Sequence, residues 1–200
     1  MKVTSIKQQV KRTGRYSIFV DGRYSFSLGE SALLESKLAS GQELSKAQLG
    51  EYKKLSNEDK LYNQVLRYVA MRPRTQWEIE TYLQRKEASP PLVEMILNKL
   101  SIIDLVNDEK FAQAFVNDRR LLRPASRRKI IAGLRQKHVP SNIIERVVGN
   151  DEQEEQTALQ AIIERKRRQA KYQDDLKLMQ YLARQGFSYG DIKSALQVDG

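Results

Sequence analysis

The chain has 200 residues, no cysteine and one histidine, which excludes a disulfide scaffold, a thiolate metal site and a thiol nucleophile, and nearly excludes histidine-based metal or triad chemistry. Lysine and arginine number 35 against 25 aspartates and glutamates, and the formal net charge of +10 points to a polyanionic partner or a nucleoprotein surface. Apolar residues make up 40%, enough for small packed units but not for one large core. No apolar run approaches the roughly 18 residues of a membrane span. The start, Met1-Lys2-Val3-Thr4-Ser5, lacks a signal-peptide core, so a cytoplasmic protein without membrane attachment is expected.

The predicted elements begin with strands. Tyr16–Val20 and Arg23–Leu28 flank Asp21-Gly22, a strong hairpin signal. A loop of Val20-Asp21-Gly22 pairs Ile18 with Tyr24 and Tyr16 with Phe26. It collects Tyr16, Ile18, Tyr24, Phe26 and Leu28 on one face, so this register is preferred over a tighter Asp-Gly loop. Val3–Gln8 supplies a third strand, which a lone hairpin needs for stability.

From Gly29 onward the pattern is helical. A short helix spans Glu30–Leu38. Ser45 with Gln48 makes a capping box, and Ser56 or Asn57 starts a further helix through Met71, stopped by Arg72-Pro73. Thr75 with Glu78 is a second capping box, opening Gln76–Arg85, and Ser89 caps Pro90–Leu100. Asn107 or Asp108 opens Glu109–Leu122, and Ser126 opens Arg127–Lys137. Pro140 or Ser141 opens a helix to Val148, ended by Gly149. A long polar helix follows over Glu152–Tyr172, then Asp174–Arg184, a stop at Gly186, and Tyr189–Leu196 capped by Ser188.

A degenerate repeat runs through these helices. Leu83, Leu134 and Leu182 align, followed three residues later by Lys86, Lys137 and Gln185. Ten residues beyond each leucine stand Val93, Ile144 and Ile192; fourteen beyond stand Leu97, Val148 and Leu196. Each unit has an opening helix, a second helix ending at a Leu-x-x-Lys/Gln corner, and a third. The opening helices carry the apolar stripes Tyr62/Val65/Leu66/Val69, Phe111/Ala112/Phe115/Val116 and Ala158/Leu159/Ile162/Ile163. The expected fold is mostly α. Tandem three-helix, helix-turn-helix-like repeats form an elongated curved array behind a small N-terminal β-hairpin or three-stranded sheet. The expected division is 1–56, 57–106, 107–150 and 151–200.

The charge is concentrated. Residues 111–150 carry nine basic and two acidic side chains, while 61–110 and 151–200 are close to neutral. Such a block suits a binding face. The candidates for that face within it are Arg119, Arg120, Arg123, Arg127, Arg128, Lys129, Arg135 and Lys137. Arg119 and Arg123 share a helix face, as do Arg128 and Arg135. Forked guanidinium donors match phosphates and carboxylates. Arg165-Lys166-Arg167-Arg168 is a secondary cluster, but consecutive positions circle a helix, and upstream acids make helix-surface pairing an alternative.

Other candidates read as structural. Trp77, the only tryptophan, is assigned to the core. Tyr16, Tyr24 and Phe26 read as a packed hairpin rather than a base-stacking platform, and His138 as a turn residue without a ligand partner. The Glu-x-Lys triplets at Glu35/Lys37, Glu51/Lys53 and Glu58/Lys60 fall on predicted helices, unlike those of metal-dependent nucleases, and no phosphate-binding glycine loop is present. No catalytic, metal or cofactor site is expected.

The chain resembles the RecX family of recombination regulators. The stretch Leu105–Arg119, with its acidic helix start and Phe111-Ala112, carries the resemblance most closely. Ile130–Lys137 and Arg74–Leu83 match the family's helix corners, and the Val-Asp-Gly hairpin resembles longer members. The corner glycine is kept only at Gly186; Glu87 and His138 replace it elsewhere, so those two corners are expected to be reshaped. Ala125 replaces a further expected glycine. The resemblance implies a non-enzymatic, negative modulator of the RecA recombinase. It would bind the groove of the RecA–single-stranded DNA filament, with double-stranded DNA a second candidate partner; a monomer is expected because no sustained heptad seam appears in the sequence. The alternative is a helix-turn-helix protein acting directly on DNA. Its recognition helices would start Pro90-Pro91-Leu92-Val93 and Ser141-Asn142-Ile143-Ile144, which offer few base-reading side chains.

Overall fold

The computed structural model describes residues 1–197. The chain divides into two compact units: Met1–Arg72 with Ala88–Ile96, and Pro73–Glu87 with the described residues from Leu97 onward.

The first unit opens with an antiparallel sheet of β1 (Val3–Gln9), β2 (Arg12–Val20) and β3 (Arg23–Gly29), in the order β1-β2-β3. The β2–β3 loop is the two-residue Asp21-Gly22, with φ +49° and +78°. Both central residues are left-handed, as a type I′ turn requires. Val20 faces Arg23 and Phe19 faces Tyr24, after which the register shifts so that Ile18 faces Phe26 and Tyr16 faces Leu28. This corrects the expected three-residue loop. The Asp-Gly turn keeps its preferred geometry, and one extra residue on β3, Ser25, resets the apolar phase as a β-bulge does. Ile18, Phe26 and Leu28 are thus buried, whereas Tyr24 turns to the other face, exposed and edge-on to Phe19 at 6.1 Å.

α1 (Glu30–Ser36) ends at Lys37, which is left-handed at φ +50°. α2 (Lys46–Ala70) starts at the Ser45–Gln48 capping box and runs for 25 residues without a break. The expected new start at Ser56 or Asn57 is not used. Ser56 is buried, and its hydroxyl donates to the Ser27 carbonyl at 2.7 Å and accepts from the Ser27 N–H at 3.4 Å. Ser27 lies on the edge strand β3, so α2 closes a sheet edge that would otherwise be open to pairing. Val3, Ile18, Val20, Phe26, Leu28, Leu38 and Leu44 form the core, with Leu49, Tyr52 and Leu55 of α2 packed on it.

The remaining helices are α3 (Gln76–Gln84), α4 (Pro90–Ile102), α5 (Asp108–Leu121), α6 (Arg127–Gln136), α7 (Ser141–Val148), α8 (Glu152–Arg167), α9 (Asp175–Arg184) and α10 (Tyr189–Leu196). The caps read from the sequence at Thr75, Asn107, Ser126 and Ser188 all accept backbone N–H groups. The helix expected over Glu152–Tyr172 stops at Arg167. Gln169 is extended, and a short 3-10 turn, Ala170–Tyr172, buries Tyr172 in the core of α8, α9 and α10. Ala112, Val116, Ile130, Leu134, Val139, Ile144 and Val148 form the core of α5, α6 and α7.

The repeat positions Leu83, Leu134 and Leu182 are fully buried, as are Ile144 and Ile192. Val93 is only half-buried, and Ile96 and Leu100 are the buried side chains of α4. That helix has 13 residues against eight in α7 and in α10, and its buried stripe falls further along. All three corners are left-handed: φ is +56° at Glu87, +54° at His138 and +98° at Gly186. The left-handed backbone is kept at both corners that lost glycine. The Leu134 carbonyl accepts from the Val139 N–H at 3.1 Å, as the Leu182 carbonyl does from Phe187 at 3.4 Å beside Gly186, so at His138 the helix-closing bond survives the loss of glycine. At the Glu87 corner the Leu83 carbonyl accepts from the Lys86 N–H at 3.0 Å.

Candidate functional site

The start of each repeat's second helix is built to receive the next repeat's corner. The Thr75 hydroxyl accepts from the Glu78 N–H at 3.3 Å and donates to the Lys137 carbonyl at 3.0 Å. The Glu78 carboxylate takes the Lys137 ammonium at 3.0 Å, and Trp77 stacks on His138. One repeat on, Ser126 accepts from the Lys129 N–H at 3.2 Å and donates to the Gln185 carbonyl at 2.6 Å, while the Lys129 ammonium bonds the Gln185 side chain. Gly186 takes the place of His138, and Arg128 that of Trp77. A Cβ on Gly186 would lie 2.8 Å from the Ser126 hydroxyl, so this joint needs glycine for close approach as well as for its φ. The third repeat's second helix begins with Asp174, whose carboxylate caps Lys177 but has no proton to donate onward.

This joint sorts the basic block. Lys137 and Lys129 spend their ammonium groups on it. Arg120 donates to the Val148 carbonyl at 2.9 Å and pairs with Glu154. The Arg127 side chain donates to the Gly149 carbonyl at 2.6 Å, and its main-chain N–H to Glu155 at 2.7 Å. Arg119 lies over the Phe115 ring at 4.7 Å and pairs with its neighbour Asp118. These five side chains hold the repeats together or are matched locally. Arg123, Arg128 and Arg135 are exposed, and among the described residues none of their side chains has an ion pair or hydrogen bond.

Arg128 and Arg135 open onto a cleft of about 570 Å³, whose other walls come from the starts of α8 and α10. Four carboxylates also line the cleft, and three are engaged by hydrogen bonds, while Glu152 is exposed without one among the described residues. Asp151 accepts from the Gln153 and Glu154 N–H groups. Glu155 caps the Arg127 N–H, and Asp191 accepts from the Ser188 hydroxyl at 2.6 Å. Burial holds the Glu155 carboxyl above its ordinary range, opposed by the Arg127 N–H bond and reinforced by the charge of Asp191. The two guanidinium groups therefore face the cleft with forked donors free for a phosphate or carboxylate.

The secondary cluster splits. Lys166 lies over the Tyr172 and Tyr181 rings at 5.2 and 4.7 Å. Arg167 donates to the Gln173 carbonyl at 2.9 Å and pairs with Asp175, closing the α8–α9 turn. Arg165 and Arg168 are exposed.

Trp77 corrects the assignment to the core: it is 39% exposed and packs on His138. Among the hairpin aromatics Phe26 is core, while Tyr24 joins Phe19 on the outward face. The Glu-x-Lys triplets at Glu51/Lys53 and Glu58/Lys60 lie within α2, and Lys37 of the Glu35 triplet is the C-cap of α1. Among the described residues no group of acids and histidine is placed to hold a metal ion, and no helix is long and apolar enough to cross a membrane.

Sequence reasoning missed a second charged locus. Arg15 pairs with Asp59 at 2.9 Å, both side chains 9% exposed, and Asp59 also accepts from the Gly29 N–H at 2.9 Å and from Asn63. A polar stripe at Lys60, Asn63, Gln64 and Arg67, spaced three and four apart, was the available signal. Ending a helix at Ser56 hid its continuity with the core-facing half of α2.

Four family models match in chain order. They are described as the RecX N-terminal domain (residues 1–45) and the first (62–100), second (107–148) and third (152–196) three-helix domains of RecX. The regulatory protein RecX of Listeria monocytogenes serovar 1/2a is 32% identical over 98% of this chain and 74% of its own length. That of Bacillus subtilis (strain 168) is 26% identical over 97% of this chain and 75% of its own. A crystal structure of regulatory protein RecX superposes with a TM-score of 0.76 at 27% identity, covering 98% of this chain and 99% of the other. Sequence, domain order and backbone agree along nearly the whole length, and the chain belongs to the RecX family of regulatory proteins.

Proposed function

We propose that this protein is a non-enzymatic, negative modulator of the RecA recombinase, acting in the cytoplasm as a monomer. It binds in the groove of the RecA–single-stranded DNA filament and so regulates recombination and repair. The proposed organisation is an N-terminal segment, 1–56, followed by three-helix repeats over 57–106, 107–150 and 151–200.

The observation that carries this reading is the set Arg123, Arg128 and Arg135, which remain exposed and unmatched after every other cation of the block has found an internal partner. Proteins keep buried and half-buried charges paired; a run of exposed, unmatched arginines is available to a polyanionic or acidic partner. Arg165 and Arg168 extend the same chemistry onto the third repeat. The reading draws on membership of a family named for regulation and on this sorting of charges.

The test is co-sedimentation with preformed RecA–single-stranded DNA filaments held by a non-hydrolysable nucleotide. The wild-type protein is expected to pellet with filaments. Arg123→Glu/Arg128→Glu/Arg135→Glu is expected to lose at least nine-tenths of that binding while melting like the wild type. Equal binding of naked duplex by both proteins, with no pelleting on filaments, would favour the helix-turn-helix alternative.

A further inference from the structure

Arg15, held by its pair with Asp59, lines a second cleft of about 540 Å³, lying wholly in the first unit between the start of β2, the end of β3 and α2. Lys60, Asn63 and Arg67 line it from α2, and Arg12 and Thr13 from β2. The wall is fixed. Asp59 is saturated by Arg15, Gly29 and Asn63, and a Cβ on Gly29 would come within 2.9 Å of its carboxylate. Arg15 thereby neutralises Asp59, and among the described residues no carboxylate lines the cleft. Arg12, Lys60 and Arg67 carry no ion pair or hydrogen bond on their side chains among the described residues, so the cleft holds three unmatched positive charges.

The face of the sheet turned away from α2 carries a further cation and two aromatic rings. Lys7 lies 5.6 Å over the Phe19 ring, and Phe19 meets Tyr24, which is 55% exposed. Along β2, Arg12 and Phe19 are separated by roughly 20 Å of strand. Unmatched cations on the α2 side of the sheet and the exposed Tyr24 ring on its other face match an extended polymer that passes round the strand and alternates anionic backbone with flat, stackable groups. An acidic peptide would satisfy the cations but leave Tyr24 without a use.

We infer that the Arg12–Lys60–Arg67 cleft is a phosphate-binding site for single-stranded nucleic acid, separate from the basic face on α5 and α6. It contacts about three phosphates, and Tyr24 takes a base. This assignment does not depend on the α5–α6 face and can stand or fall without it.

The experiment uses the full chain carrying Arg123→Glu/Arg128→Glu/Arg135→Glu, so that the other face is silent. A fluorescein-labelled thirty-residue oligo(dT) is titrated by anisotropy across a salt series. The expected result is retained binding whose log Kd–log salt slope falls by about 2 when Arg12→Gln, Lys60→Gln and Arg67→Gln are added, with Kd rising about tenfold or more. Tyr24→Ala is expected to weaken oligo(dT) but not the binding of labelled polyglutamate. Unchanged affinity and slope in the triple glutamine variant would overturn the site. Equal affinity for polyglutamate, insensitive to Tyr24→Ala, would overturn the nucleic-acid assignment. Circular-dichroism melts of each variant confirm that the sheet is intact.

Discussion

Trp77 and His138 stack with ring centroids 3.8 Å apart and planes 17° from parallel, joining the start of α3 to the corner after α6. The contact exists because His138 holds a left-handed backbone at φ +54°, which turns its side chain out from the corner where the third repeat has glycine. Trp77→Ala is expected to cost about 1–2 kcal/mol, since the ring is only half-buried and the stack adds to area burial. A double-mutant cycle with His138→Ala, read from urea melts, is expected to give a coupling of about 0.5–1.5 kcal/mol. No coupling would mean the rings are merely adjacent.

The two joint hydroxyls predict a matched pair of effects. Thr75 and Ser126 are fully buried, and each bonds both its own helix start and the next repeat's corner carbonyl. Thr75→Val and Ser126→Ala each remove a cap and strand a carbonyl, at an expected cost of about 2–3 kcal/mol. A Ser126→Thr change should retain most of the stability. A loss below about 0.5 kcal/mol in either removal would show that water replaces the hydroxyl at the joint.

The corners predict a gain and a loss. Glu87 is exposed and left-handed, which costs an L residue about 1 kcal/mol or more. Glu87→Gly relieves this against the greater freedom of an unfolded glycine, for a net gain of about 0.5 kcal/mol and a melting temperature higher by about 1–2 °C. Gly186→Ala adds both left-handed strain and a 2.8 Å approach to Ser126, so the opposite sign is expected, with a loss of about 2 kcal/mol or more. Equal effects at the two corners would contradict the distinction between them.

Asp108 gives a pH dependence. Its carboxylate accepts from the Gln76 N–H at 2.8 Å, but burial pushes its pKa up, against that bond and with the charges of Glu80 and Glu78 adding to the rise. A raised folded-state value means the native protein holds this proton more tightly than the unfolded chain does. Its contribution to stability therefore increases as pH falls through that value. Asp108→Asn keeps an acceptor and removes the charge. The variant is expected to melt higher than the wild type at pH 7, with the difference closing on acidification. A difference that stays constant with pH would exclude the carboxylate as its source.

Much of the fold was legible because the helix starts are written in local chemistry. Ser45/Gln48, Thr75/Glu78, Ser126 and Ser188 mark real caps, and the stripe Ala158/Leu159/Ile162/Ile163 is core. Two failures share a cause. Ser56 has the residue type of a cap but serves the edge of β3, and the Ile18–Phe26 register depends on a bulge at Ser25; both are settled by partners distant in sequence. The basic block was visible as composition. Its division into joint residues such as Lys137 and free residues such as Arg128 depends on which corner lies opposite, and spacing alone does not encode that.

The most direct test of the account is the single-stranded-DNA-dependent ATPase of the cognate RecA, followed with increasing amounts of this protein at several salt concentrations. A substoichiometric fall in rate that weakens with salt is expected. It should be lost in Arg123→Glu/Arg128→Glu/Arg135→Glu and kept in Arg120→Gln, once matched for stability. An unchanged ATPase rate at stoichiometric protein, or full inhibition by the triple variant, would contradict it.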